Sequence, residues 1–172
     1  KRNTVNTRIA DLVRLVDGLT ELNGQLAVVL DAKIEAMRRA NVEEMGSCEQ
    51  AERKLVETLR ERDGLRKQMM DAIGVELGLP AKAGRTLTLT QLGLRVNDAE
   101  RATISSAGDR LRSAVMKVRQ VERVAAAVSR EVLNHLQWVF AAVKPRDDGP
   151  SVYSNDGALV RSGGSAMVEL VG

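Results

Sequence analysis

The sequence predicts an all-α fold: an elongated antiparallel bundle of three long helices, with a short helical insert and a flexible C-terminal tail. Apolar residues recur at intervals of three and four through most of the chain, as on one face of an α-helix. The three prolines lie at or beyond predicted helix ends, where they break no helical hydrogen bond. We therefore predict a helical bundle over residues 1–144 and a tail over residues 145–172.

The predicted long helices cover about 4–39, 42–77 and 98–143, and the short helix covers about 89–95. The first long helix has one continuous apolar face, interrupted by a single asparagine. That face consists of Ile9, Leu12, Val16, Leu19, Asn23, Leu26, Leu30, Ile34 and Met37. The matching face of the second helix is less purely apolar and consists of Val42, Met45, Cys48, Glu52, Leu55, Leu59, Arg62, Arg66, Met69 and Ile73.

Short polar residues mark the helix starts, because each is followed three residues later by Glu or Gln, the spacing of a capping box. The three pairs are Asn41 with Glu44, Thr88 with Gln91, and Asn97 with Glu100. Gly78 and Pro80 together predict the end of the second helix, and Pro145 predicts the end of the third.

The third long helix has the most regular apolar face, which a second line of apolar residues widens. A face of that width is typical of a helix that contacts two neighbours. The first line consists of Ile104, Ala107, Leu111, Ala114, Val118, Val121, Ala125, Val128, Val132, His135, Val139 and Ala142. The second line consists of Val115, Val124, Leu133 and Leu136.

The composition argues against several classes of protein. Cys48 is the only cysteine, so the chain has no internal disulfide and suits a reducing cytoplasm. No apolar run approaches the roughly 20 residues of a membrane-spanning helix, and the first residues lack the apolar region of a signal peptide. The chain begins with Lys1 and not with Met, which predicts that further residues precede it in the natural protein.

The formal net charge of +3 does not by itself indicate a nucleic-acid partner. Acidic and basic residues alternate along the same predicted helix faces, whereas a surface for nucleic acid would be a less mixed basic stripe. We therefore predict that the chain binds no nucleic acid.

Three features resemble chemical sites but lack the residues that the chemistry needs. Residues 78–86 resemble a phosphate-binding loop, but five residues separate the glycines instead of four, and Arg85 replaces the lysine. His135 is the only histidine, whereas a di-metal site in a bundle takes a Glu-x-x-His pair from more than one helix. Cys48 has no second thiol. We predict a linker, a half-buried histidine and a small buried side chain, and no enzymatic, cofactor or metal site.

The few aromatic residues lie close together around the end of the third helix. Trp138, Phe140 and Tyr153 are the only Trp, Phe and Tyr in the chain. The run WVFAAV, residues 138–143, is apolar all round the helix, so a single packed face cannot bury it. Either these side chains close the end of the bundle, or the tail, a second copy of the chain or a partner covers them.

We predict that a partner binds to the second half of the third helix and the tail, since aromatic anchors concentrate binding energy at interfaces. The predicted partner-binding residues are Val132, Leu133, Leu136, Val139, Phe140, Val143 and Tyr153.

The order of these elements resembles that of the FlgN-type flagellar export chaperones. In that family two long helices meet at a small polar turn, as at RRANVEE in residues 38–44, and a short element like TLTQLGL in residues 88–94 precedes the third helix. A turn containing Tyr and Gly follows, like YSNDG in residues 153–157. The resemblance covers most of residues 9–160, although many members are acidic and this chain is slightly basic.

The resemblance implies a cytoplasmic chaperone, with no cofactor and no enzymatic activity, that binds the C-terminal amphipathic helices of hook–filament junction proteins. It would hold these hook-associated proteins before secretion and deliver them to the flagellar export apparatus, a further implied partner. The alternative is a self-associating coiled-coil structural or adaptor protein, which would form a homodimer.

Overall fold

The computed structural model describes residues 2–80, 86–143, 152–153 and 159–160, with side chains over 5–80 and 86–143. The elements in order are α1 (Arg2–Arg38), α2 (Val42–Glu76), α3 (Leu89–Gly93), α4 (Asp98–Val143), β1 (Val152–Tyr153) and β2 (Leu159–Val160). The all-α class, with three long helices and a short helical insert, is confirmed. The chain divides into two compact units, Lys1–Val132 and Leu133–Gly172.

The first two helices form an antiparallel hairpin, and ion pairs fix its register at both ends. Near the start of α1, Arg8 Nη1 lies 3.1 Å from Glu76 Oε1 at the end of α2. Near the hairpin turn, Lys33 Nζ lies 2.8 Å from Glu52 Oε2. Because both pairs are partly exposed, they select the register more than they stabilise the fold.

The apolar face of α1 is buried as the spacing predicts: all nine residues of the predicted face, including Asn23, are buried. The Asn23 side chain donates from Nδ2 to the carbonyl of Leu19 at 2.8 Å. The buried amide therefore keeps a hydrogen-bond partner and does not leave an unsatisfied polar group in the core.

Side chains from all four helices meet in one buried cluster near the start of α1. Leu92 brings the short helix α3 into this cluster, which explains why five helical residues hold a fixed place. The buried members are Ile9, Leu12, Val16, Met70, Ile73, Leu92, Ile104 and Ala107.

A second buried cluster lies toward the end of α1 and is built on α1 and α4, with half-buried residues of α2 around it. Its buried members are Leu26, Ala27, Leu30, Ile34, Met37, Val118 and Val121. Arg110 of α4 donates to Asp17 of α1 at 2.6 Å, and Ser129 Oγ donates to the Met37 sulfur at 3.2 Å. Thus α4 runs parallel to α1 and antiparallel to α2, as in a three-helix up-down-up bundle.

Helix capping follows the predicted residues, with one difference. Thr88 and Gln91 form the complete reciprocal capping box at the start of α3. At the start of α2, Asn41 Oδ1 accepts from the backbone N–H of Glu44 at 3.1 Å. The Glu44 carboxylate pairs with Arg39 Nη2 at 2.7 Å, because the turn brings that guanidinium close.

Both helices of the hairpin end in the same hydrogen-bonded motif, with one residue at positive φ. Gly78 has φ 82° after α2, as a glycine after a helix end is expected to have. After α1 the corresponding position is Ala40, with φ 52°. Its N–H donates to the Met37 carbonyl at 3.1 Å, and the next N–H donates to the Ala36 carbonyl at 2.9 Å. The turn therefore places a Cβ where glycine is preferred.

We expect Ala40→Gly to stabilise the protein by about 0.5–1 kcal/mol, because a non-glycine residue in the left-handed region costs roughly 1–2 kcal/mol. The control is Ala102→Gly at an exposed position inside α4, which we expect to destabilise the protein by about 1 kcal/mol. Urea unfolding followed by circular dichroism measures both. A loss of stability in Ala40→Gly would show that the turn gains nothing from glycine.

The predicted flexible tail, residues 145–172, lies outside the described residues except for two short strands. The β1 and β2 strands pair in antiparallel register, with Val152 opposite Val160 and Tyr153 opposite Leu159. The sequence alone did not predict this pairing. The predicted linker is likewise outside the described residues at positions 81–85.

Candidate functional site

The last part of α4 exposes large apolar side chains. Leu133, Leu136, Phe140 and Val143 are all exposed, and Phe140 is 70% accessible. Val139 is half-buried. The predicted partner surface thus falls on residues whose apolar surface remains in contact with water, which is unfavourable unless something covers it.

These side chains lie on one side of the helix. At about 100° per residue, they fall within an arc of about 120°. We call this set the C-terminal apolar stripe, and it consists of Leu133, Leu136, Val139, Phe140 and Val143. A stripe of this width is what an amphipathic helix presents to a helical neighbour.

Trp138 lies away from the C-terminal apolar stripe, about 160° round the helix from the centre of the arc. Trp138 is 69% exposed, and its ring stacks on that of His135 at a centroid distance of 6.3 Å and an interplanar angle of 26°. His135 is exposed, so the prediction of a half-buried histidine is wrong. The stacked pair is a second aromatic feature on the opposite side of the helix.

Two of the predicted partner-binding residues are not members of the C-terminal apolar stripe. Val132 is half-buried and is the last residue of the first compact unit. Tyr153 is placed by its backbone in β1, opposite Leu159, and its side chain lies outside the described residues. Their assignment to a partner surface stays a prediction.

The C-terminal apolar stripe carries no formal charge. Residues 133–143 contain no Asp, Glu, Lys or Arg, and His135 is the one titratable side chain among them. Contacts made there depend on the burial of apolar area and not on ion pairs, so they are insensitive to salt. Helix-in-groove recognition uses this kind of surface, with apolar anchors at intervals of three and four.

The described residues do not form a recognisable set of catalytic groups. Partial burial opposes ionisation of Asp63, but hydrogen bonds from Lys67 and Arg66 outweigh it and hold the pKa of Asp63 below its usual value. All three lie on one surface of α2, so the shift reflects a structural ion-pair network.

Cys48, predicted to be buried, is half-buried. Among the described side chains, no group of three or more His, Cys, Asp or Glu could hold a metal ion.

The three-helix architecture and the uncharged stripe define a class: an all-helical protein with a surface suited to binding an apolar helix. The sequence profile of the FlgN family, described as FlgN protein, matches residues 8–161. The chain therefore belongs to the FlgN family of flagellar export chaperones. Neither the curated proteins nor the solved structures compared with the chain contain a significant match.

The family assignment agrees with the resemblance seen in the sequence, and the FlgN family is a chaperone family. Over the described residues, no helix combines the length and the apolar character that a membrane span requires.

Proposed function

We propose that the chain is a cytoplasmic export chaperone that binds the C-terminal amphipathic helices of hook–filament junction proteins before their secretion. The C-terminal apolar stripe is the proposed contact surface, and Val132 and Tyr153 are proposed as further partner-binding residues. The exposure of Phe140, which is 70% accessible, is the observation that carries the proposal. An aromatic side chain that becomes buried when the partner binds contributes strongly to the affinity.

Three features support a helical client over other kinds of partner. The stripe follows the three-four spacing of a helix that packs on another helix. It is free of charged residues, which suits an apolar face of a client. It also lies in a protein of the FlgN family, whose members are flagellar export chaperones. The client helix would cover the stripe until the export apparatus, the second proposed partner, receives the complex.

The test is binding of a fluorescent peptide from the C-terminal helix of a junction protein of the same bacterium, followed by anisotropy. We expect a Kd of about 10 µM or tighter, with little change between 50 and 500 mM salt, since no ion pair contributes at the stripe. The matched control is the same peptide with two of its apolar residues replaced by aspartate. Equal binding of both peptides would contradict an apolar contact.

Sedimentation equilibrium separates the chaperone from the alternative of a self-associating scaffold. If the chain is the proposed chaperone, the client peptide binds the stripe of the free protein and raises the measured molar mass by one peptide per binding site. A stable homodimer that the peptide neither enters nor dissociates would instead assign the stripe to self-association.

A further inference from the structure

A second face of α4 carries only basic charge. Arg112, Arg119, Arg123 and Arg130 are separated by seven, four and seven residues and are all exposed. At about 100° per residue, they fall within an arc of about 40°. We call this set the arginine face. This face differs from the prediction that acidic and basic residues alternate along every helix face.

The arginine face points away from the bundle. It lies about 130° round α4 from the centre of the buried positions, which are Ile104, Ala107, Val118 and Val121. The short helix α3 packs on α4 before this face begins, since a Cβ added at Gly108 would meet the Leu89 side chain at 3.5 Å. Arg112 still lines a pocket with residues 86–90, whereas Arg119, Arg123 and Arg130 lie further along α4 and are exposed.

Few charges within the protein neutralise these arginines. Arg112 Nη1 pairs with Asp109 at 2.7 Å, and Arg130 Nε donates to the carbonyl of Ala126 in its own helix. Over the described residues, the structure gives Arg119 and Arg123 no ion pair. Glu122 is the one carboxylate between them in sequence, and it lies about 80° away round the helix.

The spacing of the arginine face matches that of another α-helix. Separations of seven, four and seven residues correspond to rises of about 10.5, 6 and 10.5 Å, or about 27 Å in total. Carboxylates seven, four and seven residues apart on a neighbouring helix have the same rises and lie on one of its faces. Each guanidinium can bind a carboxylate through two parallel hydrogen bonds, which a lysine cannot do.

We propose that the arginine face binds an acidic α-helix of a partner protein, lying along α4 with its carboxylates in the same seven-four-seven spacing. This surface lies in the first compact unit, so it is a site additional to the C-terminal apolar stripe. Nucleic acid is a poorer match, because the face has no aromatic side chain to stack on a base. An anionic membrane is also a poorer match, because Met116 is the one large apolar side chain beside the arginines.

The test uses a fluorescent alanine-based helical peptide with glutamates in seven-four-seven spacing. A second peptide has the same composition with the glutamates scrambled round the helix. We expect the matched peptide to bind at 50 mM salt at least 10-fold more tightly than the scrambled one, and to lose most of its affinity at 500 mM salt. Equal binding of the two peptides, or no binding of either, would overturn the proposal.

The variant for this test combines Arg119→Glu, Arg123→Glu and Arg130→Glu. We expect it to bind the matched peptide at least 10-fold more weakly than the unchanged protein, with an unchanged far-ultraviolet spectrum because the three side chains are exposed. The matched control makes the same change in net charge on α2, at the exposed residues Arg53, Lys54 and Arg60. A similar loss in the control would show that net charge alone governs the binding, and would contradict a defined face.

Two further probes separate the partner classes. A 20-base-pair DNA duplex, or a vesicle rich in phosphatidylglycerol, that bound the arginine face more tightly than the matched peptide would overturn the acidic helix as the occupant. The junction-protein peptide should bind the triple variant normally, since its proposed contacts are elsewhere. Failure of that peptide to bind the unchanged protein would count against the proposed chaperone function alone. Failure to bind only the triple variant would contradict an arginine face that is separate from the client site.

Discussion

Replacing Leu136 and Phe140 together by aspartate should reduce binding of the client helix at least about 100-fold. Both residues are exposed in the free protein, at 44% and 70%, and both belong to the C-terminal apolar stripe. In the complex, each aspartate would either be buried without a partner or prevent the client from closing on α4. Loss of two apolar anchors, each contributing about 2 kcal/mol or more to binding, predicts a reduction in affinity of at least that size.

The matched control for this double variant is Trp138→Asp. Trp138 is as exposed as Phe140, and it lies on the same part of α4 but on the other side of the helix. We expect Trp138→Asp to keep client affinity within about threefold of the unchanged protein, which corresponds to less than 1 kcal/mol. Anisotropy titration with the junction-protein peptide compares the variants, and circular dichroism verifies that each is folded.

The results for the two variants together decide whether the client binds the C-terminal apolar stripe. Loss of binding in the double variant alone assigns the client to the stripe. Equal loss in Trp138→Asp would mean that the helix is recognised all round or that its end has unfolded. Full binding by the double variant would remove the stripe from the client site.

The second large effect concerns the bundle itself: Leu12→Ala should destabilise the protein by about 3–5 kcal/mol. Leu12 is completely buried, and it lies in the cluster to which α1, α2, α3 and α4 all contribute. Truncation removes apolar burial and leaves a cavity that four helices cannot all close at once. Such a loss is a large part of the stability of an ordinary domain.

Leu65→Ala is the control for this prediction, because Leu65 is also a leucine in a long helix but is 51% exposed. We expect it to cost less than about 1 kcal/mol. Urea unfolding followed at 222 nm gives both values, and the dependence on urea should be similar in both proteins. Equal destabilisation by the two substitutions would contradict the placement of Leu12 at the meeting point of the helices.

The sequence predicted α1 most completely, because the spacing of its apolar residues and their burial coincide along the helix. The face predicted for α2 was less accurate. Val42 is 78% exposed, since it is the first residue of the helix, and Arg62 is exposed as well. Polar and charged residues within that face indicated partial burial, and most of its members are half-buried.

For α4, spacing predicted the apolar positions but not where their burial ends. Ile104 and Val118 are buried, whereas Leu133 and Leu136 continue the apolar pattern and are exposed. A periodic pattern tells which side of a helix is apolar, but it does not tell whether the same chain covers it. That difference between pattern and burial is what identifies the candidate site.

Other features depend on information that apolar spacing does not carry. The arginine face was visible in the sequence as basic residues seven, four and seven apart, but an overall view of mixed charge concealed it. The positive φ of Ala40 could not be expected, because that position after a helix normally favours glycine. The pairing of β1 with β2 joins two-residue strands, which are too short to show a period.

Methyl-labelled nuclear magnetic resonance measures most directly whether the C-terminal apolar stripe is the client site. On addition of the junction-protein peptide, the largest shifts should occur at the methyl groups of Leu133, Leu136, Val139 and Val143. The methyl groups of Leu12 and Ile104, buried in the bundle, should stay unchanged. Shifts concentrated in the buried clusters, with the stripe unperturbed, would contradict the assignment of the client to the stripe.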